Sequence, residues 1–214
     1  MQFDSGHLYH IYNQGNNRQR IFLQRENYLY FLRKIQKHVL PFADILAWCL
    51  MPNHFHLMVL INRVEIELTP SATPDPPPGW ARSDAKMSFN KSIGIMLASY
   101  TRAINKQQNW SGSLFRSETK ATCLTDVNGL SPNWITNMGI TEFIIDNHDI
   151  EYPKVCSNYI LFNPVKDRLV KRPEEWEFSS YSDLIGIRKG KLINKARIQE
   201  FGLYLTSSTQ TENK

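Results

Sequence analysis

His54 and His56 stand two apart in the run Met51-Pro52-Asn53-His54-Phe55-His56-Leu57-Met58-Val59. On a strand, residues i and i+2 point the same way, about 6.6–6.8 Å apart along the backbone. The two imidazoles then project from one face, while Phe55, Leu57 and Val59 turn into the core on the other. Side-by-side imidazoles can hold one divalent cation, as i, i+4 histidines do on a helix. The same pattern also suits two ordinary histidines on the polar face of a strand. A second segment, Asn158-Tyr159-Ile160-Leu161-Phe162-Asn163-Pro164-Val165, puts Tyr159 and Asn163 one helical turn apart on one face. Pro164 disfavours helical geometry at the residue before it, so Asn163 is expected at or near a helix end. There its amide oxygen can serve as a metal ligand, with Tyr159 as a nucleophile one turn earlier. Spacing alone favours the plainer alternative, a packing tyrosine and a C-terminal cap.

Several elements must bring these groups together. His7 to Asn13 alternates as a strand does, and Gly15-Asn16-Asn17 breaks it. Glu26 to Leu40 carries Leu29, Leu32, Ile35 and Val39 at helical spacing, stopped by Pro41. Phe42 to Leu50 and Asn53 to Ile61 read as two strands with Met51-Pro52 at their junction. Five prolines with Ser, Thr and Gly make residues 65–85 an exposed loop. Met87 to Gln107 is helical again. Ser113 to Leu124 alternates like a strand, with Arg116, Glu118 and Lys120 on one side of the pleat. Asn128 to Asn137 is turn-rich, and a third helix, starting near Glu142 or Pro153, ends at Asn163. The order β-α-β-β-α-β followed by a helix fits an α+β fold: a ferredoxin-like antiparallel sheet with helices on one face, then a tyrosine-bearing C-terminal helix and a basic tail.

The composition agrees with a globular chain of 214 residues, 42% of them hydrophobic. No stretch approaches the roughly 20 apolar residues of a membrane span, and the first ten residues lack the basic-then-apolar pattern of a signal peptide. Three widely spaced cysteines, Cys49, Cys123 and Cys156, imply neither a disulfide framework nor a cysteine-rich zinc site. The expectation is a reduced, cytoplasmic protein with no membrane partner. The net charge of +5 is concentrated: from Lys166 to Arg197 there are nine cations against five acids. Such a segment is the electrostatic footprint of a phosphate-backbone partner, and also of a simple solvated surface.

Three blocks in order, HLYHIYNQGNNRQRIF, AWCLMPNHFHLMV and YILFNPVKDRLVKRPEEWEFSSY, resemble the single-tyrosine HUH transposases of the IS200-like type. The likeness is greatest to the branch called REP-associated tyrosine transposases, and it spans about residues 6–184 apart from the proline-rich stretch. The resemblance implies metal-dependent cleavage and rejoining of single-stranded DNA, that is, DNA transposition. The matching histidines His54 and His56 and the matching Asn163 would hold Mg²⁺ or Mn²⁺, and Tyr159 would attack the phosphodiester to give a 5′-phosphotyrosine and a free 3′-hydroxyl. The chemistry is coherent. A phenol with a pKa of about 10 is a poor nucleophile at neutral pH, and a cation acting as Lewis acid and template compensates. Imidazole and amide donors without thiolate suit Mn²⁺ or Mg²⁺, with zinc left open. His10 reads as a packed strand histidine, with a place beside the site across the sheet as the alternative.

Candidate DNA contacts are Arg18 and Arg20 after the first strand, Arg116 and Lys120, and Lys166, Lys171 and Arg172 in the basic tail. Trp176, Phe178 and Tyr181 suit either base stacking or a hydrophobic staple, the staple being the stronger reading for Trp176. The expected division is a catalytic domain over 1–168 with the 65–85 loop inserted, a basic aromatic extension over 169–205, and a disordered tail over 206–214. The resemblance implies single-stranded or hairpin DNA as partner. It leaves a monomer and a homodimer that exchanges the tyrosine helix both open, matching the monomer better. Two other functions compete: a non-catalytic nucleic-acid-binding regulatory module, and a metal-dependent phosphoesterase that hydrolyses without Tyr159. The long 65–85 loop, and the lack of a compact basic run over 125–150, depart from the family pattern.

Overall fold

The computed structural model describes residues 1–67, 86–125 and 151–203. The alternating run near the N-terminus forms β1 (Leu8–Gln14), and the first apolar stripe forms α1 (Arg25–His38). The two apolar runs around Met51-Pro52 become β2 (Ala43–Met51) and β3 (His54–Ile61), joined by a hairpin in which Met51 pairs with His54. Pro52 and Asn53 occupy that turn. Their carbonyls accept from the loop after β1, Gly15 N–H at 2.8 Å and Ile21 N–H at 2.9 Å, so the entry to β3 is tied down. Gly15 is required there, because a Cβ would lie 2.3 Å from the Gln19 carbonyl oxygen.

β4 (Glu65–Glu67) and β5 (Lys86–Ser88) form a short antiparallel pair, so the start of the segment expected as loop is a strand and Met87 and Ser88, expected as helix, are its partner, with residues 68–85 outside the described residues. α2 (Phe89–Gln108) starts at Ser88, whose hydroxyl accepts from Lys91 N–H. The expected strand over Ser113 to Leu124 shrinks to β6 (Lys120–Cys123). Only these residues find ladder partners on β1, and Arg116 and Glu118 are exposed outside the pleat, so the three do not share one face of a strand. The turn-rich segment expected over Asn128 to Asn137 lies outside the described residues.

The fold is α+β. The main sheet runs β2-β3-β1-β6 with every neighbouring pair antiparallel. α1 and α2 pack on the face that carries Phe55, where Phe31 meets the Phe55 ring at 5.1 Å and Tyr100 meets Phe31 at 4.8 Å. The other face carries His54, His56 and Met58 of β3, His10 and Tyr12 of β1, and Cys49 and Met51 of β2. α3 (Glu151–Lys166) covers that face. With both faces covered, β2 and β3 are apolar almost throughout. The strand face that sequence offered as polar is therefore buried.

α3 also corrects the expected helix end. It continues through Pro164 to Lys166, and the Asn163 carbonyl still accepts from Asp167 N–H at 3.0 Å. A proline in the last turn gives up one intrahelical bond close to where the ladder stops anyway, so the cost is small.

The C-terminal segment seals the outer edge of β2. Leu50 N–H donates to Phe178 O, Ser180 N–H to Trp48 O and Asn194 N–H to Ile45 O, at 2.8–2.9 Å. Trp176 Nε1 donates to Leu50 O at 3.1 Å and Phe178 stacks on Tyr28 at 3.9 Å, which is the staple arrangement. Short helices α4 (Tyr181–Leu184) and α5 (Lys195–Glu200) follow. Buried Asp183 accepts from Arg188 Nε and Nη2, both at 2.7 Å, and from Gly190 N–H at 2.9 Å. The expected tail over 206–214 lies outside the described residues.

Candidate active site

The β1–β3 register sets Tyr12 opposite His56 and Gln14 opposite His54. His54 and His56 follow each other on one face of β3, their rings 4.9 Å apart and nearly perpendicular. α3 then lays Tyr159 and Asn163 over them. The Tyr159 ring sits 5.4 Å from the His56 ring and 6.2 Å from the His10 ring, edge-on to both. Asn163, only 3% exposed, brings Nδ2 to 3.2 Å from His56 Nε2. The same side chain is close enough to act on both Tyr159 and His54, drawing the Tyr159 pKa down and the His54 pKa up. One amide thus contacts His56 directly and stands beside the phenol and the second imidazole.

Two further residues complete the hydrogen-bonding around the histidines. His10 Nε2 lies 2.9 Å from His56 Nδ1, so the strand histidine of β1 belongs to the cluster and is more than packing. Asn53 Oδ1 lies 2.6 Å from His54 Nδ1, and Asn53 Nδ2 donates to Arg18 O at 3.3 Å. Sequence reasoning passed over Asn53. Its place directly before the first histidine, in the turn, was the available signal.

Burial dominates the electrostatics. It pushes the His56 pKa well below the ordinary value, helped by the neighbouring imidazoles of His54 and His10. His54 is lowered by burial too, partly offset by Asp167 and Asn163. His10 is lowered to about 3 by burial. All three rings are therefore neutral at pH 7, the form that offers a lone pair to a cation. Burial raises the Tyr159 pKa, with Asn163 acting the other way. The phenol is protonated at neutral pH and needs activation. Asp167, one turn beyond Asn163, is the carboxylate whose charge reaches both His54 and Tyr159.

Two neutral imidazoles and an amide fit a hard or borderline divalent cation that keeps water ligands. Among the described residues, no group of three or more His, Cys, Asp or Glu is arranged to hold an ion, so a metal here depends on the amide of Asn163.

Of the candidate DNA contacts, Lys166 is drawn into the cluster, its Nζ 5.0 Å above the Tyr159 ring. Lys120 pairs in register with Tyr12 on the same side of the sheet, where it also bonds Glu118 at 2.6 Å. Arg18 joins through its carbonyl and Asn53. Arg20, Arg116 and Lys171 are exposed, and Arg172 is turned to Glu174 and Glu175. Arg25, also basic in that region, is paired with Glu177.

No family model matches the chain, and no curated protein matches it. Among solved structures the chain is similar to a REP-associated tyrosine transposase bound to a REP hairpin, with a TM-score of 0.50 and 15% identity, over 87% of this chain and 83% of that one. At that identity the likeness concerns the fold. No helix among the described residues is long and apolar enough to cross a membrane.

Proposed function

We propose that this chain cleaves and rejoins single-stranded DNA in the manner of a transposase, with Tyr159 as nucleophile. The observation that carries the reading is the convergence of Tyr159, Asn163 and His54 on His56, with the Tyr159 ring 5.4 Å and the His54 ring 4.9 Å from the His56 ring and Asn163 Nδ2 3.2 Å from His56 Nε2, 107 residues away in sequence. The strand order β2-β3-β1-β6 with α1 and α2 on one face supports a ferredoxin-like frame. The fold of the hairpin-bound transposase supports DNA, single-stranded or hairpin, as the partner.

In the forward reaction Tyr159 Oη attacks phosphorus. The Oη–P bond forms as the P–O3′ bond breaks, the electron pair leaves with the 3′-oxygen, and that oxygen gains a proton while the phenol loses its own. The DNA 5′-phosphate is then held on tyrosine, and attack by another 3′-hydroxyl reverses the step without a nucleotide cofactor. His54, His56 and Asn163 would hold Mg²⁺ or Mn²⁺, which would supply Lewis-acid stabilisation of the phosphate charge and of the departing oxygen. The Tyr159 ring stands edge-on to His56, Asn163 favours its phenolate form, and Lys166 adds positive charge over the same ring. The helix and strands of one chain build the site, which supports catalysis within a monomer.

Incubation with single-stranded hairpin oligonucleotides and Mn²⁺ tests the reading. A denaturation-resistant protein–DNA adduct is expected with the native chain and none with Tyr159→Phe, while hairpin affinity stays within about twofold. Cleavage that survives Tyr159→Phe identifies a hydrolytic phosphoesterase instead. Salt-sensitive binding with neither cleavage nor adduct identifies a binding module.

A further inference from the structure

We propose that His10 and Asn53 are positioning residues that hold His56 and His54 in their Nδ1–H forms, so that both Nε2 lone pairs face the space beside Asn163. The inference deepens the cation site proposed above and rests on it for its purpose, though the proton positions are testable without any metal.

For His54 the argument runs through Asn53. The Asn53 Nδ2 group donates to the Arg18 carbonyl at 3.3 Å, which fixes the amide orientation and leaves Oδ1 facing His54 Nδ1 at 2.6 Å. A carbonyl oxygen can only accept. His54 Nδ1 therefore carries the proton, and Nε2 carries the lone pair.

For His56 the two ring nitrogens are both engaged. Nε2 faces the Asn163 NH₂ group at 3.2 Å, and an amide NH₂ can only donate. Nε2 is thus the acceptor and Nδ1 the donor, to His10 Nε2 at 2.9 Å. His10 must then accept at Nε2. Its place is fixed by the β1–β3 ladder, where it lies opposite Met58, two residues along from the Tyr12–His56 pair. A one-residue slip in that register would turn it to the other face.

The two arrangements have the same consequence by unrelated routes. One uses the turn that opens β3, the other a neighbouring strand. A ligating histidine whose far nitrogen is bonded in this way keeps both tautomer and ring orientation, and loss of such a partner typically weakens metal affinity about 10–100-fold. The loop carrying Arg18 is coupled to the site through the same Asn53 amide.

Long-range ¹H–¹⁵N NMR on labelled protein free of DNA and metal reads the tautomers directly. Both His54 and His56 are expected as Nδ1–H in the native chain, and either one found as Nε2–H overturns the assignment for that histidine. In His10→Phe, His56 should become a mixture of tautomers while His54 stays unchanged; Asn53→Ala should do the reverse. Mn²⁺ titration followed by electron paramagnetic resonance should show affinity about 10–100-fold weaker in each variant, with His10→Gln, whose side-chain oxygen can accept the same proton, recovering most of it. Unaltered tautomers and Mn²⁺ affinity in folded His10→Phe and Asn53→Ala would overturn the proposal. Should His10→Phe not fold, the native-chain tautomers and His10→Gln decide. A native chain that binds no Mn²⁺ refutes the cation site, whereas the NMR result still decides the proton positions.

Discussion

Lowering the pH from 7.5 to 5.0 should destabilise the metal-free protein through the buried histidines. An unfolded histidine takes up a proton near its ordinary pKa of about 6.5, whereas native His10 stays neutral down to about 3. Between those values the unfolded state binds more protons than the native state, so stability falls as pH falls through 6.5. At pH 5.0 the gap below 6.5 is about 1.5 pH units, which at about 1.4 kcal/mol per unit gives about 2 kcal/mol for His10. That figure is an upper one, because the ring keeps some solvent contact. His56 and His54, also lowered by burial, act in the same direction. The lowered carboxylates Glu118, Glu175 and Glu177 lose their contribution only below pH 4.5 and stay out of this window. Urea unfolding at the two pH values, on the native chain and on His10→Gln, measures the effect. The native chain is expected to lose about 2 kcal/mol, and the variant about 1–2 kcal/mol less than that. Equal losses in the two proteins, or a native stability flat from pH 7.5 to 5.0, would refute the reasoning.

Asp183→Ala removes the partner of Arg188 at a position 1% exposed and should cost about 2–3 kcal/mol in urea unfolding, below the 3–5 kcal/mol of a fully buried pair because Arg188 is one-third exposed. Phe178→Ala empties the stack on Tyr28 and should cost about 3–5 kcal/mol by the same measurement, without changing the distances around His56 in a crystal structure. Chelation with EDTA should abolish adduct formation and leave hairpin binding in a gel-shift assay largely intact, with added Mn²⁺ restoring the adduct. Raising salt should weaken hairpin binding with a slope set by the phosphates that the basic side chains neutralise.

Much of this architecture can be read from residue pattern. The alternation around His54 and His56 gives the strand and its histidine face, and the i, i+4 spacing of Tyr159 and Asn163 gives one helical face. The departures have local causes. Alternation over Arg116 and Glu118 occurs in backbone held to the end of β1 only by the Arg116 N–H bond to Gln14 O and the isolated Gly15–Phe115 bridge, and without a continuous ladder it makes no strand. Pro164 ends a helix only when enough of the ladder lies beyond it to lose, and here only Val165 and Lys166 follow. The burial of the histidine face was visible indirectly, since Cys49, Met51 and Met58 share it and mark strands covered on both sides. The place of His10 beside the site was legible only as the weaker of two readings. Its contact with His56 spans 46 residues and depends on a cross-strand register that spacing within one strand does not specify.

Mass-spectrometric mapping of the DNA-linked peptide tests the central claim most directly. After reaction with a hairpin oligonucleotide and Mn²⁺, nuclease trimming and proteolysis, the account predicts a single nucleotide 5′-phosphate carried on Tyr159. Attachment at any other side chain, or cleaved DNA with no linked peptide, would contradict it.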